Sequence, residues 1–248
     1  MSLPTPLSPE FQTILLTTNQ LRALPCLPAL KDMINEAYIL HHKGFKIPDS
    51  HRFRNEQELV DALAPPGRCC VMLQSQDGGQ AARPVACAML QVYHEGDPAP
   101  HAGVPVDVDG REDEEEEVDI SAIHDWEVGV VTVLQDPKLK KLGLAMRCVD
   151  ALESDLLERL KRGGGHSNGS VPVQNDGLLG LGGQEAPQPL TFWLMAAKTV
   201  NEAYWKRRGY ETVKEKVFPK GHWDYKEEFT ISWMKKAVPR NPASTIGS

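Results

Sequence analysis

"HDWEVGVVTVLQDPKLKKLGLAMRCVDALESDLLERLK", His124 to Lys161, decides how this chain is read. Its first twelve residues, His124 to Gln135, are β-branched and nearly continuous in apolar character, which predicts a central strand. A lysine-rich turn follows, and then a long amphipathic helix. A helix N-terminus carries positive partial charge and ordinarily attracts Asp or Glu. This one opens with Lys140, Lys141, Gly143 and Ala145 instead.

The conflict resolves if an anion outside the helix is the partner. The first backbone N–H groups of a helix lack intrahelical acceptors, and the dipole adds positive potential. A phosphate group can occupy that position when no bulky side chain blocks the approach. Gly143 and Ala145 keep it open, while Lys140 and Lys141 add mobile charge at the rim. The alternative is that Gly143 only eases the turn and the lysines are solvated. The segment lacks the Gly-x-x-x-x-Gly-Lys-Ser/Thr of a P-loop and the Gly-x-Gly-x-x-Gly of a dinucleotide fold.

Around this segment the chain alternates strands and helices. "FQTILLTTN" (Phe11 to Asn19) predicts a strand. "PALKDMINEAYILHHKG" predicts a helix, with Pro28 in its first turn and Gly44 at its exit; Leu30, Ile34, Ala37, Tyr38 and His41 share one face. "NEQELVDAL" predicts a second helix, capped by Asn55 with Glu58 three residues on. "RCCVMLQSQ" (Arg68 to Gln76) and "PVACAMLQVYHE" (Pro84 to Glu95) predict paired strands around "DGGQ". After the long helix come a strand (Leu190 to Lys198), a short helix (Asn201 to Tyr210) and two strands, "ETVKEKVF" and "EEFTISWMKK", around "PKGHWDY".

The 248 residues, 41% hydrophobic and 25% charged, suit one globular domain. We expect a flexible tail at 1–10, a single domain at 11–236, a disordered acidic insert at 96–122, a Gly-rich insert at 163–188, and a C-terminal tail at 237–248. The net charge of −7 belongs to one segment: Asp107 to Asp119 holds nine acids and one arginine, and the rest is close to neutral. No basic stripe for nucleic acid is present. No apolar run is long enough to cross a bilayer, and "MSLPTPLSPE" is not a secretion signal. Five cysteines (Cys26, Cys69, Cys70, Cys87, Cys148) without metal-ligand spacing suggest reduced, mostly buried thiols in a cytoplasmic or nuclear protein.

"VVTVLQDPKLKKLGLAMRCVDALE" resembles the acyl-CoA-binding segment of GNAT-superfamily N-acetyltransferases, whose signature is Arg/Gln-x-x-Gly-x-Gly/Ala. Lys140-Lys141-Leu142-Gly143-Leu144-Ala145 matches it, with Lys140 in place of Arg or Gln. "NEAYWKRRGYETV" is similar to a later element of that family ending in Gly-Phe/Tyr, here Gly209-Tyr210. The order of elements agrees apart from the inserts, and the likeness is closest to the divergent GNAT-like proteins common in fungi. The resemblance implies an α/β fold: a mixed, mostly antiparallel central sheet flanked by helices, with a splayed strand pair. It implies that pantetheine lies between those strands, bonded around Val133, Leu134 and Gln135, with the pyrophosphate on amides from Lys141 to Met146. It implies acetyl-CoA as cosubstrate, no metal, and direct transfer to a primary amine of a small molecule, a polyamine or a protein.

The chemistry asks for a base, an oxyanion donor and an acid. A free alkylamine has a pKa near ~10 and must lose a proton. Glu127 on the central strand is the candidate base, with His124 and Asp125 just before it; it could equally be a solvated strand-end residue. A free strand N–H near Val133 or Leu134 could face the oxyanion. Many members of the resembled family carry a tyrosine four residues before the motif glycine as the acid. Trp205 stands there, so Tyr204 is the nearest candidate, turned by about 100°. Tyr204 and Trp205 could instead pack the core, or Trp205 the adenine side of the cofactor. His222 in "PKGHWDY" could border the acceptor site or be an ordinary loop histidine. Two other functions compete: a GNAT-fold protein that binds acyl-CoA without turnover as a sensor or scaffold, and an interaction protein working through its acidic run. The sequence carries no signal for oligomeric state.

Overall fold

A computed structural model of the chain describes residues 11–41, 51–75, 82–94, 118–163, 188–222 and 227–240. The element order is β1 (Phe11–Leu16), α1 (Thr18–Arg22), α2 (Leu27–His41), α3 (Glu56–Asp61), β2 (Arg68–Gln74), β3 (Arg83–Val92), β4 (Asp125–Val133), α4 (Leu144–Gly163), β5 (Leu190–Ala197), α5 (Glu202–Lys206), β6 (Glu211–Phe218) and β7 (Phe229–Val238). The strands form one seven-stranded sheet in the order β1-β2-β3-β4-β5-β7-β6. Every neighbouring pair is antiparallel except β4 and β5. This is the mixed, mostly antiparallel α/β sheet expected from the sequence, with the predicted central strand in fourth place.

Period-two alternation divides the core between the two faces of the sheet. Cys70, Met72, Ala88, Leu90, Trp126, Val128, Phe192 and Leu194 pack on one face against α4. That helix buries Leu144, Cys148, Val149, Leu152 and Leu156, a stripe at steps of three and four. Each fully buried leucine contributes about 1.5–3 kcal/mol. Cys69, Val71, Cys87 and Met89 point the other way, toward Leu21, Leu30, Ile34, Leu59 and Leu63 of α1–α3 and their connections. The run "CCVML" is apolar throughout because both faces of β2 are covered.

The local signals are visible in the caps. Asn55 Oδ1 accepts from the Glu58 N–H at 2.8 Å, and Glu58 Oε2 accepts from the Arg54 N–H at 2.7 Å. In α2, Leu30, Ile34 and Ala37 are fully buried, as the helical period requires; the side chain of His41, and Gly44, lie outside the described residues.

Several boundaries differ from expectation. The first strand stops at Leu16, because Thr17 caps α1: its hydroxyl accepts from the Gln20 N–H, and Gln20 Oε1 accepts from the Thr17 N–H. Four polar residues, "TTNQ", had hidden a capping box. Within the expected acidic insert, 96–122, Ile120–Ala122 form a 3₁₀ turn capped by Asp119, and Ile120 packs on the core; residues 95–117 lie outside the described residues. Gly163 closes α4, and 164–187 of the Gly-rich insert also lie outside. Ala237 and Val238 extend β7 past the expected tail boundary. Arg240 then donates to the Ser121 and Ile123 carbonyls at 2.8 and 3.0 Å. All five cysteines are free thiols. Among the described residues no helix is long and apolar enough to cross a membrane.

Candidate active site

The parallel pair β4–β5 is joined over three residues only. Asp125, Trp126 and Glu127 face Thr191, Phe192 and Trp193, and the Thr191 N–H bonds the His124 carbonyl at 2.8 Å. Beyond that point β4 runs on to Val133 beside β3, and β5 runs on to Ala197 beside β7, with no pairing between them. The two strands part from Val128 and Leu194 onward. A sheet opened at its centre leaves backbone donors and acceptors unpaired, and such groups need another partner.

The opened half of β4 is distorted. Its register against β3 slips between Cys87 and Met89, and Val130 sits at φ 50°. A β-branched residue in the left-handed region is strained by roughly 1–2 kcal/mol, an outlier of the kind that gathers at functional sites. The Cys87 thiol braces the bulge, donating to the Val130 carbonyl at 3.5 Å and lying 3.1 Å from Thr132 Oγ1. Burial pushes that thiol up to about 12, so it stays neutral and acts as a brace. Beyond the bulge, the Leu134 N–H donates to the Val85 carbonyl of β3 at 2.8 Å. Successive residues of an antiparallel strand alternate in direction, so the Val133 N–H and C=O point away from β3, into the opening. This divides the expected trio: Val133 is available, and the Leu134 amide is already bonded. The exposed Gln135 side chain meanwhile donates to the Val133 carbonyl at 3.2 Å.

The lysine turn closes the open end. Leu139 and Leu144 are 4% and 2% exposed, anchoring the turn to the core on both sides. Between them Lys140, Lys141, Leu142 and Gly143 are exposed. Lys141 (φ 67°) and Gly143 (φ 71°) are both left-handed. Gly143 holds the cap position of α4: its carbonyl accepts from the Arg147 N–H at 3.1 Å, and it has no side chain to satisfy the helix's first amides. A Cβ built on Gly143 would meet nothing within 4 Å, so the approach to those amides is clear. The half-buried Ala145 and Met146 follow. Orphan amides, a cleared approach and two lysines on one turn fit a diphosphate.

Glu127 stands at the apex of the opening, on the last facing pair of β4 and β5. Burial raises its carboxyl above the ordinary carboxylate range; the Gln91 amide, which donates to Oε2 at 3.4 Å, and then Arg52 and His94, pull the other way. Its neighbours in the sheet are Gln91 on β3 and Trp193 on β5. Trp193 stacks on Tyr93, centroids 4.6 Å apart and 10° from parallel, and its indole N–H donates to Asp125 Oδ1 at 2.7 Å. Asp125 thereby positions an aromatic wall. Gln91, Tyr93, Trp193 and Arg52 had no motif to mark them in the sequence; only strand register and chain folding bring them to Glu127.

The remaining candidates fall elsewhere. Trp205 is 5% exposed and meets Tyr210 edge to face at 5.3 Å in the α4-side core. Its assignment to the cofactor gives way to core packing, because almost none of the indole is left for another partner. Tyr204 is half-buried at the edge of that same core, with Arg208 over its ring at 4.6 Å and donating to its hydroxyl at 3.3 Å. Alternation puts Glu127 on the α2 face of the sheet and Tyr204 on the α4 face, on either side of the layer that the opening interrupts. His124 Nδ1 accepts from Arg240 at 2.9 Å, which ties this histidine to the paired end of β4. His222 stacks on Phe218 at 4.5 Å.

No family model matches the chain, and no curated protein matches it. Solved structures similar to it include the ribosomal-protein-S18-alanine N-acetyltransferase from Escherichia coli, at 12% identity over 96% of this chain and 99% of that one, TM-score 0.48. A putative acetyltransferase from Salmonella typhimurium with its cofactor acetyl-CoA is 10% identical over 96% and 99%, TM-score 0.47. The spermidine N-acetyltransferase from Vibrio cholerae in complex with CoA and spermine is 10% identical over 93% and 97%, TM-score 0.47.

Proposed function

We propose that this chain is a CoA-dependent N-acetyltransferase, moving an acetyl group from acetyl-CoA to a primary amine by direct transfer. The observation that carries the reading is the divergence of β4 and β5 just past Glu127, with the Val133 groups turned away from β3 and the α4 N-terminus at its open end. A thioester arm needs an extended slot lined by backbone donors and acceptors, and its diphosphate needs a cluster of amides. One continuous segment, from Val133 to Met146, supplies both.

In this reading the amides from Lys141 to Met146 hold the pyrophosphate, helped by the Lys140 and Lys141 ammonium groups. Val133 takes the pantetheine amides, and Gln135 swings off its carbonyl to make room. Glu127, kept less acidic by burial, accepts the proton of the acceptor ammonium. The amine nitrogen bonds to the acyl carbon as the carbon–sulfur bond breaks. An N–H of the opened half of β4 faces the oxygen that gains charge in between, Tyr204 gives a proton to the departing sulfur, and the second proton shed by the nitrogen restores Tyr204 through solvent. Preorganised donors of this kind typically contribute on the order of 10²–10³ in rate.

The test is turnover of acetyl-CoA by the full chain on a panel of small amines, polyamines and lysine peptides, beside Glu127→Gln. Transfer to at least one class, reduced in the variant, supports the reading. Binding of CoA with no transfer to any class supports the alternative of an acyl-CoA sensor instead.

A further inference from the structure

Arg52 is a cation with an unusual setting. Its guanidinium lies over the Tyr38 ring at 5.3 Å and the Phe53 ring at 5.6 Å. Its Nε is buried and has no hydrogen-bond partner among the described residues. No carboxylate among those residues lies within 4 Å of the Arg52 guanidinium, although Glu127 is near enough to feel its charge. The segment carrying it is fixed: Asn35 of α2, 6% exposed, donates to the Phe53 carbonyl at 2.9 Å and accepts from the Phe53 N–H at 3.0 Å. Two rings and a backbone clamp therefore hold the guanidinium in one place. A buried donor without an acceptor is costly, and proteins rarely keep one without a reason.

Its place in the fold supplies the reason. Tyr38 belongs to α2, which packs across β3 and β4 on the face that bears Glu127. The charge of Arg52 is felt both at Glu127 and at Cys87, under the bulge of β4. Through its contact with Tyr38 the cation lies on the α2 side of the sheet, the side that bears Glu127.

We propose that Arg52 binds a carboxylate carried by the acceptor, so that the amine substrate is an amino acid or a similar amino-carboxylate. This rests on the acetyl-transfer reading and narrows it. The planar guanidinium forms paired hydrogen bonds with a carboxylate, which fix the substrate's orientation as well as its charge. Glu127 then meets the ammonium end of the same molecule. A polyamine would instead bring a second cation against Arg52, so the acceptor cleft selects against it.

The experiment uses the full chain with acetyl-CoA and two matched acceptors, β-alanine and β-alaninamide, with putrescine as the dication. The parent should favour the carboxylate over the carboxamide by about ten- to hundredfold in kcat/KM. Arg52→Gln should bring that ratio close to one, mainly through KM, and Arg52→Lys should keep part of it. Thermal unfolding and CoA affinity of both variants show whether the fold is intact. Equal use of the two acceptors by the parent, a preference for putrescine, or an unchanged ratio in Arg52→Gln would overturn the assignment. Where the parent transfers to none of them, calorimetry of the same acceptors on the protein decides. A carboxylate preference lost in Arg52→Gln then keeps Arg52 as the receptor while acetyl transfer fails, and no preference removes it.

Discussion

Glu127 and Trp193 are the last residues of β4 and β5 to face each other before the strands separate. One closes the paired half of the sheet and the other walls the opening, with Tyr93 stacked behind it. Between Gln91 and Trp193 the Glu127 carboxylate is half-buried, largely screened from water yet open to what enters the gap. Burial therefore raises its pKa without hiding it.

Glu127→Gln should lower kcat by roughly 10²–10⁴ while leaving CoA affinity unchanged, because the carboxylate acts on the acceptor side alone. Steady-state kinetics paired with calorimetry measure both.

The same substitution has a pH signature in stability. The carboxyl of Glu127 has a higher pKa folded than unfolded, so between those two values the folded chain binds more protons. Its contribution is fully present below the ordinary carboxylate pKa and is lost as pH rises through the folded value. Gln carries no such penalty. Thermal unfolding should find Glu127→Gln more stable than the parent at neutral pH, with the difference shrinking toward pH 4. A gap that grows on acidification would contradict the buried-carboxylate description. The acidic limb of the kcat/KM profile should likewise sit above the ordinary carboxylate range.

Trp205 and Tyr204 should separate cleanly. Trp205→Ala removes a core side chain and should cost about 3–5 kcal/mol, measured by denaturant unfolding. Tyr204→Phe keeps the ring under Arg208 and removes only the hydroxyl. It should unfold within about 1 kcal/mol of the parent yet turn over more slowly. Equal turnover would remove the Tyr204 hydroxyl as the acid.

Val130 offers a check on the bulge. Replacing a half-buried valine by glycine in an ordinary strand costs stability through lost packing and added chain entropy. At φ 50° the glycine also releases strain of roughly 1–2 kcal/mol. Val130→Gly should therefore unfold measurably closer to the parent than Val131→Gly, its neighbour packed on the α4-side core.

Much of this was legible in the sequence for identifiable reasons. The β4–turn–α4 unit is local, so its apolar run, lysines and glycine predicted the central strand and a helix that starts just past Gly143 with no side chain over its first amides. Asn55 and Glu58 predicted α3 through side chains three residues apart. The capping box at Thr17 was missed because it interrupts a β-branched run that continues to look like strand. Motif spacing puts Trp205 at the resembled family's tyrosine position and leaves the core and the adenine side of the cofactor as alternatives; packing against Tyr210, which no spacing reveals, puts it in the core. The Leu134 amide could not be separated from that of Val133 without the register against β3. Arg52 was invisible for the deepest reason: its meaning depends on Tyr38, fourteen residues earlier, and on Glu127, seventy-five residues later.

The central claim is that the N-terminus of α4, with Gly143 as its cap, receives the diphosphate of CoA. Calorimetric titration of CoA into the parent chain and into Gly143→Glu tests it most directly. Gly143→Ala serves as the control for the left-handed backbone, which any side chain strains. The account predicts that the parent binds one CoA and that the glutamate, a charge set against phosphate, weakens binding at least about tenfold beyond the alanine. A parent indifferent to CoA, or a glutamate variant binding as tightly as the alanine, would contradict it.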